Sequence, residues 1–265
     1  MQLLKQQSAA WQEKRAYTLA TIVETQGETP RSVGSKMMVL EDGTICGTIG
    51  GGVLEGQVQA DALDCLKTGS PILKHYENRS VTGISPCGGR ITVFLEPCLP
   101  RPQLVVVGAG HVGAALIRLS SQFDYSVTAV DTRDTDITRE NVKCADAFYL
   151  TKDFSEDLLR LPLPEHAFYL VSTYGHEEDC EALASVLQKN PQYVGMMGSP
   201  VKIRSIFHRL KERGFSEEQL HFVHTPVGLD IGGETPMEIA LSILSEIQMV
   251  RYRKTGASLS TGREE

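Results

Sequence analysis

The segment from Gln103 to Asp134, QLVVVGAGHVGAALIRLSSQFDYSVTAVDTRD, constrains the fold more than any other stretch of the chain. Leu104 to Val107 is a short apolar, β-branched run of the kind that forms a strand buried on both faces. Gly108-Ala-Gly110-His-Val-Gly113 then turns the chain into a helix with apolar residues at Val112, Ala115, Leu116 and Leu119. A second strand, Ser126 to Val130, ends on Asp131, 18 residues after Gly113. Each glycine has a separate job. Gly108 permits the tight turn, Gly110 lets a phosphate approach the backbone, and Gly113 lets the helix sit close on the strand. The free N–H groups and positive dipole end of that helix attract an anion, and an acid at the end of the second strand is placed to grip a ribose hydroxyl. A G-x-G-x-x-G alone is weak evidence. With a strand before it, a helix after it and an acid at the right distance, it predicts a Rossmann unit.

The 265 residues suffice for two modest domains, which bury roughly 70–75% of the unfolded surface. A hydrophobic share of 41% and a charged share of 22% are ordinary for a globular protein. Net charge is −7 and the one short basic run is Arg251 to Lys254, so nucleic acid is not expected as a partner. No apolar run approaches the ~18 residues of a membrane helix. The N-terminal MQLLKQQSAAWQEKR has no signal-peptide apolar region, so a cytoplasmic protein without membrane contact is expected. Cysteines 46, 65, 87, 98, 144 and 180 form no CxxC and no paired Cys/His spacing, which predicts neither a zinc site nor a disulfide framework. Cys46, Cys65 and Cys144 read as packing residues.

The expected fold class is α/β, with a C-terminal Rossmann-like doubly wound parallel sheet and a smaller N-terminal α+β domain. In the N-terminal part, 1–99, a surface helix from Leu3 to Arg15 uses Leu4, Ala10 and Trp11 as its apolar contacts. A strand Tyr17–Thr25, a hairpin Lys36–Leu40/Thr44–Thr48, a helix Val53–Lys67 ended by Gly69, and strands near Ile72–Tyr76 and Ile91–Glu96 complete it. The proline-bearing stretch Glu96 to Pro102 marks the boundary. The Rossmann-like domain, 100–254, continues with strands at Ala147–Leu150, Ala167–Ser172, Tyr193–Met197 and His221–His224. It closes with a helix from Met237 to about Val250 that buries Ile239, Ile243, Ile247 and Val250. Residues 255–265 read as a flexible polar tail.

Ligands of an open parallel sheet bind beyond the carboxyl ends of its strands. There the sequence places Gly108, Gly110, His111 and Gly113, then Asp131 and Arg133, then His176, then Gly198 and Ser199, and last the loop holding Asp230 and Glu234. The N-terminal domain offers a second anion cradle. Gly50-Gly51-Gly52 opens a helix with Glu55 in its first turn, and three glycines in a row cost enough chain entropy to suggest a use. Arg31, after Thr29-Pro30, is suited to pairing with phosphate. Cys87 lies between Pro86 and Gly88-Gly89, where backbone amides can stabilise a thiolate or a bound sulfur. No catalytic set is complete; Cys87 and His176 are the candidates.

Motifs in both halves resemble the xanthine dehydrogenase accessory factor family, XdhC/CoxI. They are ETPRSVGSKM, GTIGGGVLE and PCGG in the N-terminal half. VVVGAGHVG, VDTRD, YGHEED, GMMGSPVK and PVGLDIGGETPMEIALSI follow in the C-terminal half. Tyr174 departs from the arginine expected before Gly-His in many members. The resemblance implies a molybdenum cofactor chaperone. Such a protein would hold molybdopterin while a cysteine desulfurase helps place the terminal sulfur, then deliver it to a molybdenum hydroxylase. It would not itself be an enzyme, and a homodimer would help to shield the cargo. Glu55, Asp230 and Glu234 could meet the pterin edge, and Cys87 could sit near the sulfur exchange. Two readings of other classes stand beside it. One is an NAD(P)-dependent oxidoreductase with His176 as acid/base, NAD(P) or another nucleotide lying on the Gly108–Gly113 turn. The other is a Rossmann domain that merely docks a partner.

Overall fold

The computed structural model describes residues 2–77 and 89–260. The chain divides into two compact units, Met1–Arg101 and Pro102–Glu265.

In the first unit, helix α1 (Gln2–Gln12) is followed by strands β1 (Tyr17–Gln26), β2 (Lys36–Leu40) and β3 (Ile45–Gly47), helix α2 (Gly52–Thr68), and strands β4 (Ile72–Glu77) and β5 (Arg90–Cys98). The strands form an antiparallel sheet in the order β3-β2-β1-β5-β4. Alternation along the strands sorts the two faces. Ala20, Ile22, Met37 and Val39 pack with Leu54, Val58, Ala62 and Cys65 of α2, whereas Tyr17, Met38 and Leu40 pack with Ala10 of α1. Helix α1 buries only one of its three expected apolar contacts, Ala10. Leu3, Gln7 and Ala10, at i, i+4 and i+7, face inward, while Leu4 and Trp11 are 70% and 62% exposed. Helix α2 ends where expected, with Gly69 at φ 65° donating its N–H to the Cys65 carbonyl.

The second unit alternates strand and helix: β6 (Gln103–Val107), α3 (His111–Ser120), β7 (Ser126–Asp131), α4 (Asp136–Asn141), β8 (Ala147–Leu150), α5 (Glu156–Arg160), β9 (Phe168–Val171), α6 (His176–Leu187), β10 (Tyr193–Met196), α7 (Pro200–Glu212), α8 (Glu217–His221), β11 (Val223–His224) and α9 (Pro236–Arg251). All six strands are parallel, in the order β11-β10-β9-β6-β7-β8. With β6 taken as the first strand, this is the 3-2-1-4-5-6 order of a doubly wound dinucleotide fold. Both faces are covered, as the unbroken apolar runs require. Val105 and Val107 point into the core under α6 and α7, and Leu104 and Val106 into the core shared with Leu116 of α3 and Ile243 of α9. On α9, Ala240, Ile243, Leu244 and Ile247 are the buried stripe, and the expected Ile239 and Val250 are only partly covered. The expected strand His221–His224 shrinks to two residues because α8, capped by Ser216, takes the chain through His221. Cys144 is exposed, contrary to the packing role expected of it, whereas Cys65 and Cys180 are buried.

Among the described residues no helix is long and apolar enough to cross a membrane.

Candidate functional site

The strand order reverses beside β6, whose neighbours are β7 on one side and β9 on the other, and a cleft of about 640 Å³ opens at the carboxyl ends of the strands there. It gathers six of the residues singled out in the sequence: Gly110, His111, Gly113, Arg133, Gly198 and Ser199. The three glycines of the turn differ as their assigned jobs require. Gly108 sits at φ 101°, and a Cβ on it would lie 2.4 Å from the Ser172 carbonyl oxygen. A Cβ on Gly113 would lie 2.1 Å from the Gly108 carbonyl oxygen, so only glycine lets α3 rest on the turn. A Cβ on Gly110 would meet nothing within 4 Å, which leaves its backbone open to the cleft.

Asp131 closes β7 and is 1% exposed. Its Oδ2 accepts from the Ala109 amide at 2.7 Å and from Arg133 Nη2 at 2.8 Å. Its Oδ1 accepts from Arg133 Nε and the Arg133 amide, both at 2.9 Å. Four donors fill the roughly four acceptor positions of a carboxylate. Burial alone would raise its pKa, but the Arg133 side chain, the Arg133 and Ala109 amides and the Arg133 charge outweigh it and hold the carboxyl below the usual range. Asp131 thus pins the glycine turn and aims Arg133 into the cleft. Gripping a ribose hydroxyl requires Arg133 to leave.

A second carboxylate repeats the arrangement on the opposite flank. Asp179, in the first turn of α6 and fully buried, accepts at Oδ1 from the Thr173 amide at 2.9 Å and the Thr173 hydroxyl at 2.6 Å. Its Oδ2 pairs with Lys202, which lines the cleft from the start of α7. Sequence reasoning missed both Asp179 and Lys202. Each lies inside a family motif, YGHEED or GMMGSPVK, but 23 positions separate them and only the fold pairs them. Tyr174, 88% exposed, also lines the cleft, and cationic lining comes from Arg133 and Lys202 instead of the expected arginine.

The wall formed by Pro226 and Val227 is held from behind. Glu246 of α9 accepts from the Tyr193 hydroxyl at 2.7 Å, the Gly228 amide at 2.8 Å and His224 Nδ1 at 2.9 Å. Burial pushes Glu246 up, and these three partners together hold it below its ordinary value. The available signal was an acid next to Ile247 on an otherwise apolar face. His176, Asp230 and Glu234 do not line the cleft; each is exposed, and the Glu234 amide donates to Glu238 Oε2 at 3.0 Å.

In the first unit the fold brings two of the N-terminal motif stretches against the Glu28–Pro30 loop. A Cβ on Gly50 would lie 2.7 Å from Pro30 Cγ, and one on Gly89 2.1 Å from the Glu28 carbonyl oxygen. Gly50, Gly51 and Gly52 all have positive φ, 143°, 82° and 66°. Their nest already holds an anion: Glu55 Oε1 accepts from the Ile49 amide at 3.0 Å, the Gly51 amide at 2.9 Å and the Thr48 hydroxyl. Burial alone would raise the Glu55 pKa, but these donors and the Gly50 amide bring it below the ordinary value. Arg31 is exposed, its carbonyl accepting from the Thr29 hydroxyl at 2.9 Å. Cys87 and Gly88 lie outside the described residues.

A doubly wound parallel sheet with a glycine turn and a cation-lined cleft at its switch point, joined in one chain to an antiparallel α+β unit, defines a two-unit protein with a Rossmann-type half. Residues 104–247 match the XdhC Rossmann domain and residues 10–77 match the XdhC and CoxI family. The chain belongs to the XdhC and CoxI family. It is 32% identical to the uncharacterized protein YqeB of Escherichia coli K12, over 91% of this chain and 44% of that one. It is 29% identical to a probable xanthine dehydrogenase component of Bacillus subtilis 168, over 61% of this chain and 46% of that one. The molybdenum cofactor insertion chaperone PaoD of Escherichia coli K12 is 22% identical over 89% and 84%. The chain therefore spans less than half the length of the first two of these relatives. A crystal structure of a xanthine dehydrogenase from Bacillus halodurans shares the fold, with a TM-score of 0.50, 22% identity and 97% of each chain covered.

Proposed function

We propose that this protein is an accessory chaperone that binds the molybdenum cofactor, aids its sulfuration with a cysteine desulfurase, and delivers it to a xanthine dehydrogenase-type molybdenum hydroxylase. The observation that carries the reading is the character of the cleft. It joins a helix N-terminus opened by Gly110 to two cations, Arg133 and Lys202, which suits the phosphate of a pterin cofactor. Family membership over both units and the role named for PaoD support it. The molybdenum cofactor is cargo in this reading, and the protein performs no turnover of its own. Arg31 and the PCGG stretch of the first unit are assigned to the same task, whereas the glycine nest is filled by Glu55.

The second reading, an NAD(P)-dependent oxidoreductase, is favoured by the dinucleotide-type strand order and turn. Its NAD form is weakened by Asp131, whose acceptor positions for a ribose diol are already engaged. The decisive experiment is mass and fluorescence analysis of small molecules that co-purify with the protein from a molybdate-fed host. An oxidised pterin released on denaturation is expected; a nicotinamide nucleotide and no pterin overturns the chaperone. Cys87→Ser is expected to lower the sulfurated fraction of delivered cofactor while leaving the thermal melt unchanged. Unaltered sulfuration removes Cys87 from the proposal.

A further inference from the structure

Two buried carboxylates each hold a cation that lines the same cleft: Asp131, 1% exposed, holds Arg133, and Asp179, 0% exposed, holds Lys202. Each also fixes the backbone beyond a strand end, Asp131 through the Ala109 amide and Asp179 through the Thr173 amide. A buried ion pair is a poor way to gain stability, because desolvation cancels most of its attraction. Two such pairs on one cleft instead keep two cations in fixed positions. Arg133 commits Nε and one Nη2 hydrogen to Asp131, and three of the five guanidinium N–H groups remain. Lys202 keeps its ammonium at the cleft with its side chain 16% exposed. In the sheet, β6, which leads into the N-terminus of α3, lies between β7, which leads to Arg133, and β10, which leads to Lys202, and the backbone of Gly110 is open.

We infer that the Rossmann cleft is selective for a phosphorylated nucleotide that presents phosphate to Arg133 and a second anionic group to Lys202. Asp131 acts as the positioning residue of Arg133 and not as the acceptor of a ribose diol. The inference rests on the reading of this cleft as a ligand site, and it does not require that the cargo be a pterin. Its chemistry separates two otherwise similar probes. A dinucleotide with a free ribose 2′-hydroxyl offers a donor to a carboxylate already holding four. The same dinucleotide with a 2′-phosphate offers acceptors to the unused guanidinium N–H groups.

The test is isothermal titration of the full chain with NADP+, NAD+ and inorganic pyrophosphate, used as binding probes alone. NADP+ is expected to bind at least about tenfold more tightly than NAD+, the size of one charge-assisted contact. Pyrophosphate is expected to compete with it. Arg133→Gln should erase the preference, Arg133→Lys should restore part of it, and Lys202→Gln should weaken both dinucleotides and pyrophosphate together. Equal or tighter binding of NAD+, binding of none of the probes, or pyrophosphate affinity untouched by both glutamine variants overturns the inference. Pterin fluorescence of the purified protein reports the chaperone separately. Absence of pterin with the NADP+ preference intact removes the cargo and leaves this site standing.

Discussion

A carboxylate that is 1% exposed keeps its charge in a folded protein only where hydrogen bonds and a counter-ion offset its lost hydration, and Asp131 has four donors from Ala109 and Arg133. Its pKa is held down in the folded chain, against about 3.9 for a free aspartate. The stabilisation it provides is therefore fully present above about pH 4 and is lost as the pH falls through the lower folded value. Asp131→Asn is expected to cost about 3 kcal/mol at neutral pH, the cost of breaking a buried pair. The gap between the two proteins in urea unfolding should close on acidification. A gap that stays constant through the acid range assigns the loss to packing and not to charge. Glu55 follows the same sign, its pKa lowered by the Thr48 hydroxyl and the amides of the glycine nest against the opposing effect of burial. The nest shows what a sequence reader can and cannot obtain from one residue. Three glycines before an acid mark an anion cradle, but nothing local says that the acid itself becomes the anion.

At the scale of the element, helix α3 and its turn rest on one steric fact: a Cβ at Gly113 meets a carbonyl oxygen 2.1 Å away, while a Cβ at Gly110 meets nothing. Gly113→Ala is expected to destabilise by about 1–3 kcal/mol or more, since backbone must move to admit the methyl group. Gly110→Ala should leave the thermal melt within about 0.5 kcal/mol of the parent, because the site is open and its φ of −69° is ordinary. Gly110→Ala should still weaken pyrophosphate binding, by placing a methyl group where the anion approaches. If both variants melt alike, the turn is looser than this geometry. The same segment explains why so much of the second unit was legible. Strands buried on both faces read as unbroken apolar runs, and glycines and prolines marked their ends. Helices α4, α5 and α8, of six, five and five residues, are too short to display a helical period, and they were not legible. The pairs that furnish the cleft were hidden for another reason. Lys202 with Asp179, and His224 with Glu246, are far apart in sequence and are joined only by packing. On α1 Ala10 is buried as expected, but Leu3 takes the inward place assigned to Leu4, and Trp11 faces solvent, a choice between neighbouring apolar residues that composition alone does not make.

For the molecule as a whole, the two units carry separate cores. The clusters of the first draw on α1, α2, β1 to β5 and Ile49 of the β3–α2 turn, and those of the second on residues from Leu104 to Val250. The second unit also contains a complete six-stranded sheet, so no strand of it depends on pairing with the first. A parallel sheet needs both faces covered, and α3 with α9 on one side and α5 to α8 on the other meet that need within residues 102–260. A unit of this size buries about 70% of its unfolded surface, enough to fold alone. Residues 102–260 expressed alone are therefore expected to unfold in a single cooperative transition, with a urea m-value of about 1–3 kcal/mol/M. Near-ultraviolet circular dichroism from Tyr125, Tyr169 and Tyr193, all fully buried, should persist up to that transition. A broad, non-cooperative melt with those tyrosine signals lost would show that the doubly wound sheet needs the rest of the chain to reach its native packing.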